Sequence, residues 1–184
     1  MFSPLGITIL VVVALLTVLV LFIATRPAGF RIERSAVIKA PPAAVFSLIN
    51  DFHQWVHWSP WEKLDATMQK TFTGPPAGAG ASYSWHGNKQ VGEGRMTLLK
   101  SEPDRSIHIK LEFLKPFVAT NDTVFEFAPV DGGTRVVWGM EGKRDFMMKA
   151  FCLVMNMDKM VGKDFENGLA NLDKAAQEQA TAKG

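Results

Sequence analysis

The sequence predicts an α+β fold in which a curved antiparallel sheet wraps around one long C-terminal helix. Between Phe30 and Gly142, short runs that alternate apolar and polar residues are separated by glycine- and proline-containing turns. This pattern is typical of antiparallel strands with one buried face. From Phe146 to about Gln177, apolar residues recur instead at the spacing of one helical stripe. A sheet with one apolar face and a helix with one apolar stripe both become buried when the sheet closes around the helix.

Length and charge limit the possible classes of protein. The chain has 184 residues, which suits one globular domain and an appendage. Its net charge of +2 argues against a nucleic-acid partner. The single cysteine, Cys152, cannot form a disulfide within the chain, and because it lies in an apolar run we expect a small buried side chain.

A stretch of twenty residues without a charge, Leu5–Ala24, lies near the N-terminus. With a helical rise of about 1.5 Å per residue, it spans the roughly 30 Å hydrocarbon core of a bilayer. A cleaved signal peptide is the alternative. However, the residues before Leu5 carry no lysine or arginine, the apolar region is long, and no small-x-small cleavage site follows. We therefore favour a retained transmembrane helix.

Basic residues follow the apolar stretch, beginning with Arg26 and Arg31. By the positive-inside rule, this distribution predicts a single-pass membrane protein whose C-terminal domain is cytoplasmic. We divide the chain into a transmembrane anchor with its connector (residues 1–28), a folded domain (29–177) and a frayed tail (178–184).

The folded domain begins with a strand and two short helices. Phe30–Lys39 predicts the strand. Pro42 suits the first turn of a helix over Ala43–Asn50, and Asp51 can cap a second short helix over Phe52–Trp58. Six further strands are predicted over Thr67–Phe72, Ala81–His86, Val91–Ser101, Ser106–Leu114, Thr120–Ala128 and Thr134–Gly142.

The C-terminal helical run is not uniform. Its first part, Phe146–Met155, is apolar on nearly all sides, whereas Asp158 and Gly162 interrupt the stripe farther along. We expect Asp158 to be a helix N-cap after a break at Asn156, with a catalytic acid as the alternative. The first part is either buried against the tryptophans of the short helices or forms a gate that rests on the lipid surface.

Several motifs of the folded domain resemble one superfamily. They are residues 38–41 (IKAP) followed by Val45-Phe46, the segments 51–55 and 58–61 (WSPW), and the terminal segments 162–165 and 168–172. In these motifs the chain resembles the polyketide cyclase/dehydrase and lipid-transport branch of the START-related (SRPBCC) superfamily, in its membrane-anchored bacterial form. The resemblance extends roughly from Phe30 to Lys174. It implies the helix-grip fold: a curved antiparallel sheet, two short helices and a long C-terminal helix, here preceded by one transmembrane helix.

Members of this superfamily bind lipids, hormones or polyketides between sheet and helix, and some are cyclases or activators of a chaperone ATPase. The resemblance therefore implies a hydrophobic cavity and a bacterial inner-membrane location. The period-2 pattern of the strands and the helical stripe indicate which side chains face that cavity. The candidate cavity-lining residues are Trp58, Trp61, Tyr83, Trp85, Met96, Leu98, Ile109, Leu111, Phe113, Phe125, Trp138, Met140, Met155, Phe165 and Leu169.

Residues that would carry catalysis or bind a metal are sparse. His53 and His57 share a helix face, but no third ligand follows at motif spacing, so we expect no metal. The sequence has no serine–histidine–aspartate order, no phosphate-binding glycine loop and no CxxC pair. We therefore predict no cofactor and no catalytic residue. Besides Asp158, Tyr83 is the titratable group that an enzyme of this fold could use.

We favour a membrane-tethered binding module for an apolar ligand, a lipid or a polyketide- or isoprenoid-like molecule, held between the sheet and the C-terminal helix. Its expected partners are membrane lipid and the small apolar ligand, with no nucleic acid. Two alternatives stay open: an enzyme of the cyclase or dehydratase type, and a protein-interaction module with a filled core. An enzyme needs a buried acid–base pair, which the sequence pattern does not show.

Overall fold

Across residues 3–182, the part of the chain that the structure describes, this computed structural model contains four α-helices, two 3-10 helices and seven β-strands. The α-helices are α1 (Pro4–Thr25), α2 (Pro42–Asn50), α3 (Phe146–Phe151) and α4 (Met157–Ala182), and the 3-10 helices are Phe52–His57 and Pro60–Lys63. The strands are β1 (Gly29–Ile38), β2 (Gln69–Thr73), β3 (Ser82–His86), β4 (Glu93–Glu102), β5 (Ser106–Lys115), β6 (Ala119–Val130) and β7 (Gly133–Lys143). Residues 183 and 184 of the predicted tail lie outside the described residues.

The described residues form two compact units. The first contains residues 3–30 and 143–156, and so includes α1 and α3. The second contains residues 31–142 and 157–182, and so includes nearly all of the sheet, α2 and α4.

The seven strands form one curved antiparallel sheet in the order β1-β7-β6-β5-β4-β3-β2. In β5, Ile107 and Ile109 are buried, whereas the alternate residues His108 and Lys110 are partly exposed, as the period-2 pattern predicts. Together with the long C-terminal helix and the apolar N-terminal helix, this sheet confirms the predicted fold class.

The two short helical segments after β1 also form where the sequence predicts them. α2 has Pro42 in its first turn. The carboxylate of Asp51 accepts a hydrogen bond from the backbone N–H of His53 at 2.9 Å and so caps the following segment, which is a 3-10 helix.

The predicted single C-terminal run is interrupted, because residues 152–156 separate α3 from α4. Asp158 is not the expected N-cap. It lies in the first turn of α4 and accepts hydrogen bonds from the Arg34 guanidinium at 3.1 and 3.2 Å. Arg34 Nε also donates to Glu166 at 2.8 Å, and a Cβ at Gly162 would overlap the guanidinium. The bonds from Arg34 hold the pKa of the Asp158 carboxyl below its ordinary value, so this ion pair persists at mildly acidic pH.

The sheet contacts α4 through Trp138. Its indole ring stacks on Phe165 with ring centroids 4.1 Å apart and planes inclined by 7°. A Cβ at Gly168 would lie 2.7 Å from Trp138 Cζ3 and 3.2 Å from Pro60 Cδ. Carbon atoms are best separated by about 3.5–4.0 Å, so the absence of a side chain at Gly168 lets the helix backbone lie directly on the indole.

In the first unit, α1 has 22 residues and is long and apolar enough to cross a membrane, with a mean hydropathy of 3.2 in its most apolar window. Its C-terminal end is tied to the residues around α3. Lys149 Nζ donates to the carbonyl oxygen of Ala24 at 3.2 Å, and the backbone N–H of Arg144 donates to that of Ala28 at 2.8 Å.

The apolar residues in and after α3 are largely exposed. Met147 is 67% exposed and Val154 is 82% exposed. Cys152 is partly exposed, so the expectation of a buried cysteine is wrong. With these residues exposed, the first part is not a buried helix, so the interpretation in which it is buried against the tryptophans is wrong.

We expect Gly168→Leu to lower the free energy of unfolding, although leucine is a better helix former than glycine by nearly ~1 kcal/mol. The new side chain would overlap Trp138 and Pro60, and overpacking of this kind costs about 1–3 kcal/mol. Denaturant titration of the detergent-solubilised full-length protein measures the change. Asn167→Leu, at the adjacent exposed position, is the control and should be neutral or slightly stabilising. Equal stability of the two variants would contradict the close contact.

Candidate functional site

The inward face of the sheet is arranged in rows that cross the strands, because directly opposed residues point to the same side. The first row is Ile107, Phe125 and Trp138; the second is Leu98, Ile109, Thr123 and Met140; the third is Tyr83, Met96, Leu111 and Asn121; the fourth is Trp85, Gly94 and Phe113. These rows run from one end of the strands toward the other.

The interior beside the first row is filled by aromatic rings. Trp58, 1% exposed, packs edge-on against Phe125 and Trp138 with centroid distances of 6.1 and 5.6 Å. Its indole N–H donates to the carbonyl oxygen of Leu48 at 3.0 Å. Trp58 therefore closes this end of the core.

The third and fourth rows are less completely covered. Leu111, Phe113 and Trp85 face inward but are only partly buried. Trp85 lies over Gly94, where a Cβ would overlap its ring, and meets Phe113 edge-on at 6.1 Å. This end of the inward face therefore presents large apolar side chains that the described chain does not fully cover.

Three polar atoms on the inward face have no partner among the described residues. They are Asn121 Oδ1, Thr123 Oγ1 and Trp138 Nε1, and their residues are 5%, 5% and 2% exposed. Sequence reasoning missed Asn121 and Thr123. The alternation of β6 could have identified them: because Phe125 faces inward, the residues two and four positions before it face inward too.

Tyr83 joins a buried polar cluster that the sequence analysis also missed. The tyrosine hydroxyl donates to Glu62 Oε1 at 2.9 Å, and the other oxygen of Glu62 forms an ion pair with Lys70. The Glu62 side chain is only 6% exposed. Burial, followed by the negative charge of Glu62, raises the pKa of the Tyr83 hydroxyl. With Tyr83 and Lys70 as donors, both carboxylate oxygens of Glu62 have a partner.

The predicted cavity-lining residues fall into three groups. Met155 is 39% exposed, lies between α3 and α4 in the first unit, and does not belong to the inward face. The partly buried ones are Trp61, Trp85, Leu111 and Phe113. The fully buried ones are Trp58, Tyr83, Met96, Leu98, Ile109, Phe125, Trp138, Met140, Phe165 and Leu169. That they contact a ligand stays a prediction.

Other candidate sites are occupied by local structure or lie elsewhere. His53 Nδ1 lies 2.8 Å from Asp51 Oδ1, and its ring stacks on Phe72. Within residues 3–182, no group of three or more histidine, cysteine or acidic side chains could hold a metal. A groove of about 250 Å³ lies between β1 and α4, and of the predicted lining residues Leu169 lines it.

Residues 29–177 match the family model described as polyketide cyclase / dehydrase and lipid transport. The chain belongs to this family. Among curated protein sequences, none matches the chain.

Solved structures show the same fold at low sequence identity. The Zhui aromatase/cyclase from Streptomyces sp. R1128 is 15% identical with a TM-score of 0.61, and the match covers 85% of this chain and 98% of that one. For the Aha1 dimer from Colwellia psychrerythraea, the identity is 14%, the TM-score 0.58 and the coverage 80% and 96%. Protein CV1439 from Chromobacterium violaceum is 17% identical with a TM-score of 0.55, and coverage is 80% and 96%.

Because Tyr83 is the one tyrosine of this polyketide cyclase / dehydrase family member, tyrosinate absorbance reports on its hydroxyl alone. We expect ionisation well above the ordinary pKa of about 10, since burial and Glu62 disfavour the anion. The stability that this shift contributes is complete below pH ~10 and is lost as the pH rises further, because the unfolded chain releases the proton first.

Absorbance at alkaline pH, followed together with circular dichroism, measures this titration. Glu62→Gln should bring the midpoint closer to the ordinary value without reaching it, because burial remains the larger cause. A midpoint near pH ~10 in the folded wild type would show that the hydroxyl is not buried against Glu62.

Proposed function

We propose that this protein is a membrane-tethered module that binds an apolar ligand, a lipid or a polyketide- or isoprenoid-like molecule, between its sheet and α4. One observation carries the proposal: the inward face is closed by aromatic packing at the first row and only partly covered at the third and fourth. Core-facing leucine, phenylalanine and tryptophan side chains remain partly exposed there. Covering them with an apolar molecule removes apolar surface from water and so favours binding.

The membrane tether is supported by the composition of the first unit. α1 is long and apolar enough to cross a bilayer, and the exposed apolar residues of α3 belong to the same compact unit. Arg26, Lys143, Arg144 and Lys149 add basic charge to that unit. Apolar side chains with basic neighbours suit the interface of an anionic bilayer. We therefore infer that the segment 146–155 rests on the cytoplasmic leaflet.

A cyclase- or dehydratase-type enzyme is the second candidate, and the Tyr83–Glu62–Lys70 cluster is the observation that favours it. The cluster supplies a buried carboxylate beside a phenol. Against it, both carboxylate oxygens already have donors, so neither is free to take a proton from a substrate.

The ligand proposal predicts that the full-length protein, extracted in mild detergent, retains an apolar small molecule in native mass spectra. Phe113→Ala should lower the ratio of occupied to empty protein at least about tenfold, because full burial of a phenylalanine side chain contributes about 1.5–3 kcal/mol. Leu114→Ala changes the neighbouring outward residue, which is 53% exposed, and should leave the ratio unchanged.

An empty wild type would remove the ligand proposal and favour the protein-interaction module with a filled core. Recovery of a candidate ligand with its mass changed by loss of water would favour the enzyme.

The tether predicts the environment of Cys152, the one cysteine of the chain. A membrane-impermeant maleimide should label it in inverted bacterial vesicles and not in spheroplasts.

An environment-sensitive fluorophore at this position should show blue-shifted emission in anionic liposomes. The control is Cys152→Ser combined with Lys89→Cys, a cysteine at an exposed loop position, which should emit as in water. Labelling of Cys152 from the outside would overturn the orientation, and emission equal to that of the control would overturn the lipid contact.

A further inference from the structure

The three unpartnered atoms of the inward face, Asn121 Oδ1, Thr123 Oγ1 and Trp138 Nε1, form a potential polar subsite within an otherwise apolar region. Asn121 and Thr123 are two residues apart on β6 and so lie on one face about 6.5 Å apart. Trp138 pairs with Phe125, the next inward residue of β6, and so lies diagonally beside Thr123. All three side chains are more than nine-tenths buried.

The indole N–H of Trp138 differs from those of three other tryptophans. Trp55, Trp58 and Trp85 each donate to a backbone carbonyl oxygen, at 2.9, 3.0 and 3.0 Å. Trp138 Nε1 has no acceptor. The ring is also held in place, because Phe165 stacks on its face and Gly168 lies over its benzo edge, at Cζ3. The N–H is on the other side of the ring from that edge and cannot turn to find a partner.

A buried donor or acceptor without a partner is costly, and most such groups in proteins are satisfied. Here a donor, an acceptor and a hydroxyl that can serve as either lie on neighbouring positions. A single ligand hydroxyl can accept from Trp138 Nε1 and donate to Asn121 or Thr123. This set of groups therefore matches an alcohol.

The charges of the surrounding face argue against an anionic head group. On β3 to β7 the inward residues of the four rows are uncharged. On β2, Lys70 lies opposite Trp85 in the fourth row, and its charge is already paired with that of Glu62. A carboxylate or phosphate buried beside Thr123 would have no counter-charge, which is strongly unfavourable.

We propose that the ligand is a neutral amphipathic alcohol, a long-chain or isoprenoid-like molecule whose hydroxyl binds at Asn121, Thr123 and Trp138 while its apolar part covers the third and fourth rows. This inference rests on the proposed function, because it names the chemical class of ligand for the same site.

The detergent-solubilised full-length protein is incubated with equal amounts of 1-hexadecanol and hexadecane. The amount of each compound in the protein sample is then compared with the amount in micelles without protein. Wild type should retain the alcohol about tenfold better, as expected for two added hydrogen bonds. Hexadecanoic acid at neutral pH should not displace the alcohol.

Thr123→Val keeps the side-chain shape and removes the hydroxyl, and it should lower the preference for the alcohol to about threefold or less. Thr123→Ser restores a hydroxyl and should restore the preference. Thr120→Val, on the exposed face of the same strand, is the matched control and should retain the wild-type ratio.

Two kinds of failure are distinguishable. If wild type retains neither compound, the proposed function fails. If it retains hexadecane as well as hexadecanol, if the acid is preferred, or if Thr123→Val keeps the full preference, the polar subsite is overturned while apolar binding stands. Equal retention of the two compounds would mean that buried water satisfies the three atoms.

Discussion

The contact between the Trp138 indole and α4 is the interaction on which the second unit of this protein depends. It joins the middle of β7 to the helix through a face-to-face stack on Phe165, and the neighbouring helix residues Leu169 and Leu172 are buried with it. Aromatic pairs contribute about 0.5–1.5 kcal/mol beyond the area they bury. A glycine in a helix interior is unfavourable by nearly ~1 kcal/mol, yet Gly168 is what allows this approach. The sequence therefore gives up local helix stability in favour of a tertiary contact.

The same contact links the core to the candidate site. Because the ring is fixed by Phe165 and by the helix backbone, its N–H has one direction available, and no described acceptor lies in that direction. The other end of the inward face has the opposite character. There Trp85 and Phe113 touch edge-on but stay partly exposed, so apolar surface is available at that end of the face. The helix grip and the candidate binding surface thus lie on the same inward face of the sheet.

Much of the fold could be predicted because its signals are local. The alternation in β5 and the length of the uncharged N-terminal stretch each depend on neighbouring residues alone. The errors at Asp158 and Gly162 concern a partner that is far away in the sequence. Asp158 and Gly162 looked like interruptions of an apolar stripe, yet both accommodate Arg34, more than a hundred residues earlier.

The candidate site was less predictable for a related reason. Glu62 lies on the second 3-10 helix, and its partners Lys70 and Tyr83 lie on β2 and β3. Thr123 does not stand out in the sequence, because threonine is common in strands and occurs on either face of a sheet. Period 2 places Thr123 on the inward side, but only the structure shows that its hydroxyl has no partner there. Segment 143–156 likewise has no local pattern that assigns it to the same compact unit as α1.

The order of the strands has a consequence for how the chain is made. β1 is the first strand synthesised and pairs with β7, the last, so β2 to β6 must all leave the ribosome before β1 acquires its neighbour. At roughly 5–20 residues per second this interval lasts several seconds, and closing so long a loop is slow in itself. During that time β1 is an unpaired strand edge, open to pairing with other chains. Its charged residues, Arg31, Glu33 and Arg34, are of the kind that discourages such pairing. They continue to protect β1 after folding, because β1 is still an outermost strand of the finished sheet.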